Sequence, residues 1–126
     1  LEAERTRMNV ASNNMANANS TAGKDGTVYQ KREVILSPTF GEQMGAAREK
    51  LAGVKVDSIE KAGLPPEKEY APNHPKANEE GMVKKANVSS LDEMLDMMTA
   101  MRAYEANLTA LKQSQQMAQR TIDLAK

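Results

Sequence analysis

Between Ser90 and Lys126, apolar or small residues recur at alternating steps of three and four. They are Met94, Met97, Met101, Tyr104, Leu108, Leu111, Ala118, Ile122 and Ala125, with Gln115 as the one polar member. A seven-residue repeat held over more than four turns of the pattern is the signature of a coiled-coil helix. No Gly or Pro interrupts it. Leu91, Leu95 and Met98 widen the stripe at its start, and Leu124 flanks its end. Ser90 and Glu93 have the spacing of a capping box. Asp92, Glu93 and Asp96 stand near the start, and Arg120 and Lys126 near the end, as the helix dipole favours. Such a helix would be roughly 55 Å long.

A chain of 126 residues with 3% aromatics and no Trp cannot bury a helix of that length alone. The stripe needs partners. The first segment, Leu1 to about Asn19, repeats the signal in shorter form. Leu1, Met8 and Met15 are seven apart, Ala11 and Ala18 hold the companion positions, and Glu4 breaks the series. The same segment carries Asn9, Asn13, Asn14, Asn17 and Asn19. Asparagine competes with the backbone for its own hydrogen bonds, so a helix this rich in it is weak in isolation. Pairing with the C-terminal helix and with neighbouring molecules is the expected remedy. Amides both donate and accept, which suits them either to a solvated face or to a subunit interface.

The character changes between the helices. Ser20–Thr27, with Gly23 and Gly26, reads as a loop. Val28–Leu36 reads as a strand, Val54–Ile59 as a second and Met82-Val83 as a short third. In Ser37–Gly53, the helical spacing of Phe40, Met44, Ala47 and Leu51 conflicts with Gly41 and Gly45. Gly63–Ala77 holds Pro65, Pro66, Pro72 and Pro75 and must be extended or turned. The fold expected is mainly α with a small β part. Residues 1–20 and 88–126 form a discontinuous domain of paired antiparallel coiled-coil helices, and residues 21–87 a β-containing, loop-rich outer segment.

The functional classes narrow by elimination. Seventeen basic and seventeen acidic residues balance, and Lys84-Lys85 is too short a run to grip nucleic acid. No stretch approaches the ~20 apolar residues of a membrane span. There is no Cys, hence no disulfide, thiol nucleophile or thiolate zinc site. His74, with Glu79 and Glu80 downstream, raises a small metal-dependent hydrolase as a rival. Its place in Pro72-Asn73-His74-Pro75 reads better as a turn, with no metal, cofactor or catalytic residue expected. Met94, Met97, Met98 and Met101 would suit a promiscuous binding face, but their helical spacing favours a packing seam. The sequons at Asn19, Asn87 and Asn107 read as chance.

Three segments carry a resemblance. Ser12-Asn13-Asn14-Met15-Ala16-Asn17-Ala18-Asn19-Ser20 is similar to the signature near the N-terminus of flagellar rod and hook proteins, with Ser20 in place of the usual Thr. Tyr70-Ala71-Pro72-Asn73-His74-Pro75-Lys76-Ala77, continuing through Gly81 to Val83, and Arg102-Ala103-Tyr104-Glu105-Ala106-Asn107-Leu108-Thr109-Ala110 resemble stretches of FlgC-type rod proteins. The likeness covers nearly the whole chain. It leaves out residues that family members carry ahead of Leu1, and the Ser37–Gly53 region.

The resemblance implies a non-enzymatic structural subunit of the proximal rod, whose helices bundle into a hollow shaft that transmits torque and leaves an export channel. It implies passage through the flagellar type III export apparatus and assembly in the periplasm. Its partners would be copies of itself, other rod proteins and the membrane-ring base, without membrane insertion. The residues expected at the assembly interface are Met8, Asn13, Asn14, Met15, Asn17, Met101, Tyr104, Asn107, Leu108 and Leu111. The rival from the binding class is a helical partner protein of a type III secretion system, either an export chaperone or a needle-type subunit.

Overall fold

A computed structural model describes residues 1–23, 25–39 and 53–124. Helix α1 spans Glu2–Asn17, and helix α2 spans Ser90–Leu124. Four strands lie between them: β1 (Arg32–Thr39), β2 (Gly53–Lys61), β3 (Glu67–Tyr70) and β4 (Met82–Lys85). The architecture is mainly helical with a small antiparallel β part. The helical spacing over Phe40, Met44, Ala47 and Leu51, and the last positions Ala125 and Lys126, lie outside the described residues.

The helices pack against each other through small side chains. Ala3, Val10, Ala11 and Ala18 near α1 and Ala100 on α2 are all buried. Contacts fall in antiparallel order, with Arg7 reaching Asp96 and Asn14 reaching Glu93. On α1 the buried line runs Ala3, Val10, Ala11, Asn14. Met8 and Met15 are only half-buried and Leu1 is exposed. The companion positions Ala11 and Ala18 are thus the ones used, because a close approach of two backbones selects small residues over the longer methionines.

Helix α2 starts where its sequence pattern does, but its cap lies one residue earlier than the spacing predicts. The Ser89 hydroxyl, not that of Ser90, accepts from the Asp92 backbone N–H at 3.3 Å, and the Glu93 N–H donates to the Ser89 carbonyl. The Glu93 side chain, freed from a reciprocal capping role, turns inward instead.

Strands β1 and β2 pair antiparallel from Arg32↔Lys61 to Thr39↔Gly53, with a bulge between Ile35 and Leu36 that leaves Asp57 unpaired. Strand alternation gathers Val34, Leu36, Pro38, Val54, Val56 and Ile59 on one face. Both strands pack on α1, which stabilises a two-stranded ribbon that would be marginal alone. The first strand begins at Arg32, four residues later than predicted, while β2 and β4 fall where expected.

Strand β3 sits within the proline-rich stretch read only as extended or turned. It occupies the gap between Pro66 and Pro72 and pairs with β4 from Glu67↔Lys85 to Tyr70↔Met82. The far side of β4 receives the chain leaving α1, through a bridge from Thr21 to Lys85 and a bond from the Ala22 N–H to the Lys84 carbonyl. Val83 and Ala86 are buried there.

At the end of this ribbon, the predicted Asn/Pro turn forms. His74 N–H donates to the Ala71 carbonyl, and Ala77 N–H to the His74 carbonyl. The turn closes at Gly81, whose φ of 74° is the left-handed conformation that glycine tolerates. No described helix is long and apolar enough to cross a membrane. Among the described residues, no group of three or more His, Cys, Asp or Glu could hold a metal.

Candidate assembly interface

One asparagine side chain ties α1, α2 and the approach to β1 together. Asn14 is 1% exposed. Its amide nitrogen donates to Glu93 Oε2 at 2.9 Å and to the Arg32 carbonyl at 2.8 Å. Its amide oxygen accepts from the Tyr29 hydroxyl at 2.8 Å and from the Arg32 N–H at 3.0 Å. An amide offers two donors and two acceptor lone pairs, so every hydrogen-bonding position of Asn14 is filled.

Glu93 is 3% exposed. Its second oxygen, Oε1, meets Lys31 Nζ at 3.0 Å. A buried carboxylate is tolerated only when paired and hydrogen-bonded, and Glu93 has both compensations. The bond to Glu93 raises the Lys31 pKa above the ordinary value, overcoming the burial that opposes it. Arg7, bonded to Glu4 and Asp96, adds a more exposed charged contact between the helices.

Glu93, Lys31, Tyr29 and Arg32 were not among the residues expected at a site. One signal was present. Glu93, Met97, Ala100 and Tyr104 follow the four-three-four spacing of the seam, which makes Glu93 a polar residue in an apolar line rather than a cap. Glu93 and Ala100 are buried, and Met97 and Tyr104 half-buried. The line continues through Leu108 (half-buried), Leu111, Ala118 and Ile122. Every described residue from 109 to 124 is exposed within the subunit. Leu111 is 45% exposed and Ile122 is 55% exposed. A second apolar line, Leu91, Met94, Leu95, Met98 and Met101, is also exposed in the subunit.

The structure disperses the ten predicted interface residues over three settings. Asn14 is spent inside the subunit. Met8, Met15, Asn17, Tyr104 and Leu108 are half-buried at the edges of the helix pair. Asn13, Met101, Asn107 and Leu111 are exposed. Asn17 and Asn13 are adjacent turns of one face, where the Asn17 side chain donates to the Asn13 carbonyl at 2.8 Å.

The two ends of the chain match families of known proteins. Residues 1–23 match the family described as "Flagella basal body rod protein". Residues 79–124 match "Flagellar basal body rod FlgEFG protein C-terminal". The two matches therefore bracket the helices and leave out most of the β part. The chain is 37% identical over 125 residues to the flagellar basal-body rod protein FlgC of Salmonella typhimurium, covering 98% of this chain and 89% of the relative. It is 37% identical over 129 residues to FlgC of Agrobacterium fabrum, covering 100% and 88%. It is 34% identical over 137 residues to FlgC of Bacillus subtilis, covering 100% and 91%.

Proposed function

The chain belongs to the FlgC family of flagellar basal-body rod proteins, and on that premise we propose that it builds the proximal rod by bundling its helices with those of neighbouring subunits. It is a structural subunit of the rod, which lies in the periplasmic part of the basal body, and its family is one of structural proteins.

The observation that carries the assembly reading is the uncovered continuation of the α2 seam. The face buried at Glu93 and Ala100 and half-buried at Tyr104 and Leu108 runs on as Leu111 and Ile122, both exposed in the subunit. Apolar surface in a line along a helix is a docking face for other helices. In this reading α1 and α2 pair as an antiparallel coiled coil. Residues 1–20 and 88–126 form the shaft and residues 21–87 its outer part. Met8, Met15, Asn13, Asn17, Met101, Tyr104, Asn107, Leu108 and Leu111 meet neighbouring subunits. Asn14 supports that surface from within. Copies of the chain and other rod proteins are the partners, with the membrane ring as base and the type III export apparatus as the route. The absence of any cysteine suits a chain threaded unfolded through a narrow channel.

Deletion of the gene tests the proposal. Loss of swimming, with basal bodies that retain rings and lack a rod in electron micrographs, and rescue by the intact gene, is the expected outcome. Normal rods and swimming in the deletion strain would overturn it.

A further inference from the structure

In a chain of zero net charge, positive charge is concentrated on one side of the β part. Two cavities adjoin there and share Gly26 and Lys84 in their walls. One, of about 460 Å³, is lined by Arg32, Lys61 and Lys84. The other, of about 370 Å³, is lined by Lys68, Lys76 and Lys84. Neither has an acidic residue in its lining. Among the described residues, none of these five cations is in a salt bridge. Lys76 donates to the Thr21 hydroxyl, which orients the ammonium without neutralising it. The nearby carboxylate of Asp25 accepts from Thr27, whose hydroxyl and backbone N–H together hold its pKa below the ordinary value.

The strand register makes the arrangement costly. Arg32 lies directly opposite Lys61 across β1 and β2, and Lys68 directly opposite Lys84 across β3 and β4. Like charges in directly opposed positions destabilise a ladder. Both ribbons accept that penalty at the places that line the two cavities. The neighbouring Glu33↔Glu60 pair offers no relief, because alternation turns it to the other face of its ribbon.

We propose that the two cavities form one trough that binds a carboxylate-rich protein segment in extended form. Cations at both ends, with Lys84 between them, match charges spaced along a chain better than one compact ion. Four of the five are lysines, which act as point charges and do not impose the forked geometry of a guanidinium. Val28, Tyr29, Pro66 and Met82 give the trough apolar wall between the charges. The trough is separate from the helix faces assigned to bundling, so the inference stands whether or not the rod assignment does.

The test is fluorescence anisotropy of a labelled oligoglutamate peptide against the full chain, with a labelled oligoglutamine peptide as its neutral control. Binding to oligoglutamate alone, weakening steeply with added salt, is expected. Lys84→Glu and Lys61→Glu should each weaken it about tenfold or more. Each should also raise the melting temperature, because it turns a repulsive cross-strand pair into an attractive one. Lys112→Glu on α2 should leave binding unchanged. Loss of binding together with a lowered melting temperature would mark these lysines as structural and overturn the proposal. So would equal weakening by Lys112→Glu, or failure to bind oligoglutamate at low salt. Displacement of the peptide by inorganic phosphate at equal concentration would replace the protein segment with a small anion.

Discussion

Asn14 and Glu93 stand 79 residues apart in the chain and are joined by a buried hydrogen bond of 2.9 Å. Around this bond the fold closes. Asn14 also holds both backbone groups of Arg32, so one side chain fixes the start of the first ribbon against the helix pair.

Replacing Asn14 with Leu should therefore cost about 3 kcal/mol, since it strands a buried carboxylate, a hydroxyl and two backbone groups. Asn14→Asp should do no better, because it places a second carboxylate against Glu93. Urea unfolding followed by circular dichroism at neutral pH measures both losses. A loss below about 0.5 kcal/mol, the range of an ordinary surface change, would mean that the hub is not what holds the helices to the ribbon.

The Lys31–Glu93 pair has its own pH signature. Lys31 is raised above its ordinary value of 10.5, first by the hydrogen bond to Glu93. A raised lysine contributes stability that is fully present below its unfolded value and is lost as pH rises through the folded one. Wild-type protein should thus lose stability above about pH 10.5 more steeply than Lys31→Met. Guanidinium midpoints taken across that range for both proteins decide the matter, and parallel curves would count against the pair.

At Gly81, backbone conformation and space act together. With φ at 74°, an added Cβ would lie 3.0 Å from the Tyr70 ring and 3.1 Å from Pro72 Cβ. Gly81→Ala should destabilise the β3–β4 ribbon by about 2 kcal/mol. Amide exchange should report faster opening at residues 67–70 and 82–85, with α2 protection retained near Ala100.

Leu111 separates folding from assembly. It is 45% exposed in the subunit, so Leu111→Asp should change monomer stability by no more than about 0.5 kcal/mol. In the assembled rod it would bury a charge, and incorporation and swimming should fail. Leu108→Asp should abolish incorporation in the same way. Wild-type swimming in both strains would remove α2 from the assembly surface.

Much of this was legible in the residues. The seven-residue spacing anticipates the described helix Ser90–Leu124, because a long uninterrupted period outweighs local ambiguity. Strands β2 and β4 follow from their β-branched and apolar alternation. Strand β3 was hidden because Glu67–Tyr70 owes its conformation to pairing with Met82–Lys85, and four prolines mask the rest of the stretch. The cap at Ser89 and the inward turn of Glu93 were missed together. An acid three residues after a serine reads locally as a cap, and only the arrival of Asn14 and Lys31 from elsewhere gives it another use. The same limit applies to Asn14 itself. Nothing in its own neighbourhood distinguishes it from the four other asparagines of the segment.

The buried residues of the two helices are mostly small, with Ala3, Val10 and Ala11 on α1 and Ala100 on α2. Such a contact is smooth: it has few protruding side chains to resist one helix gliding along the other. Asn14 is the catch on that smooth track, since a single buried polar position fixes axial register. Under shear the two elements divide the task. The small residues set how near the helices lie, and the Asn14–Glu93 bond, with Arg7–Asp96 beside it, opposes sliding of one past the other. A subunit made this way should resist creep under load and yield only when those bonds break.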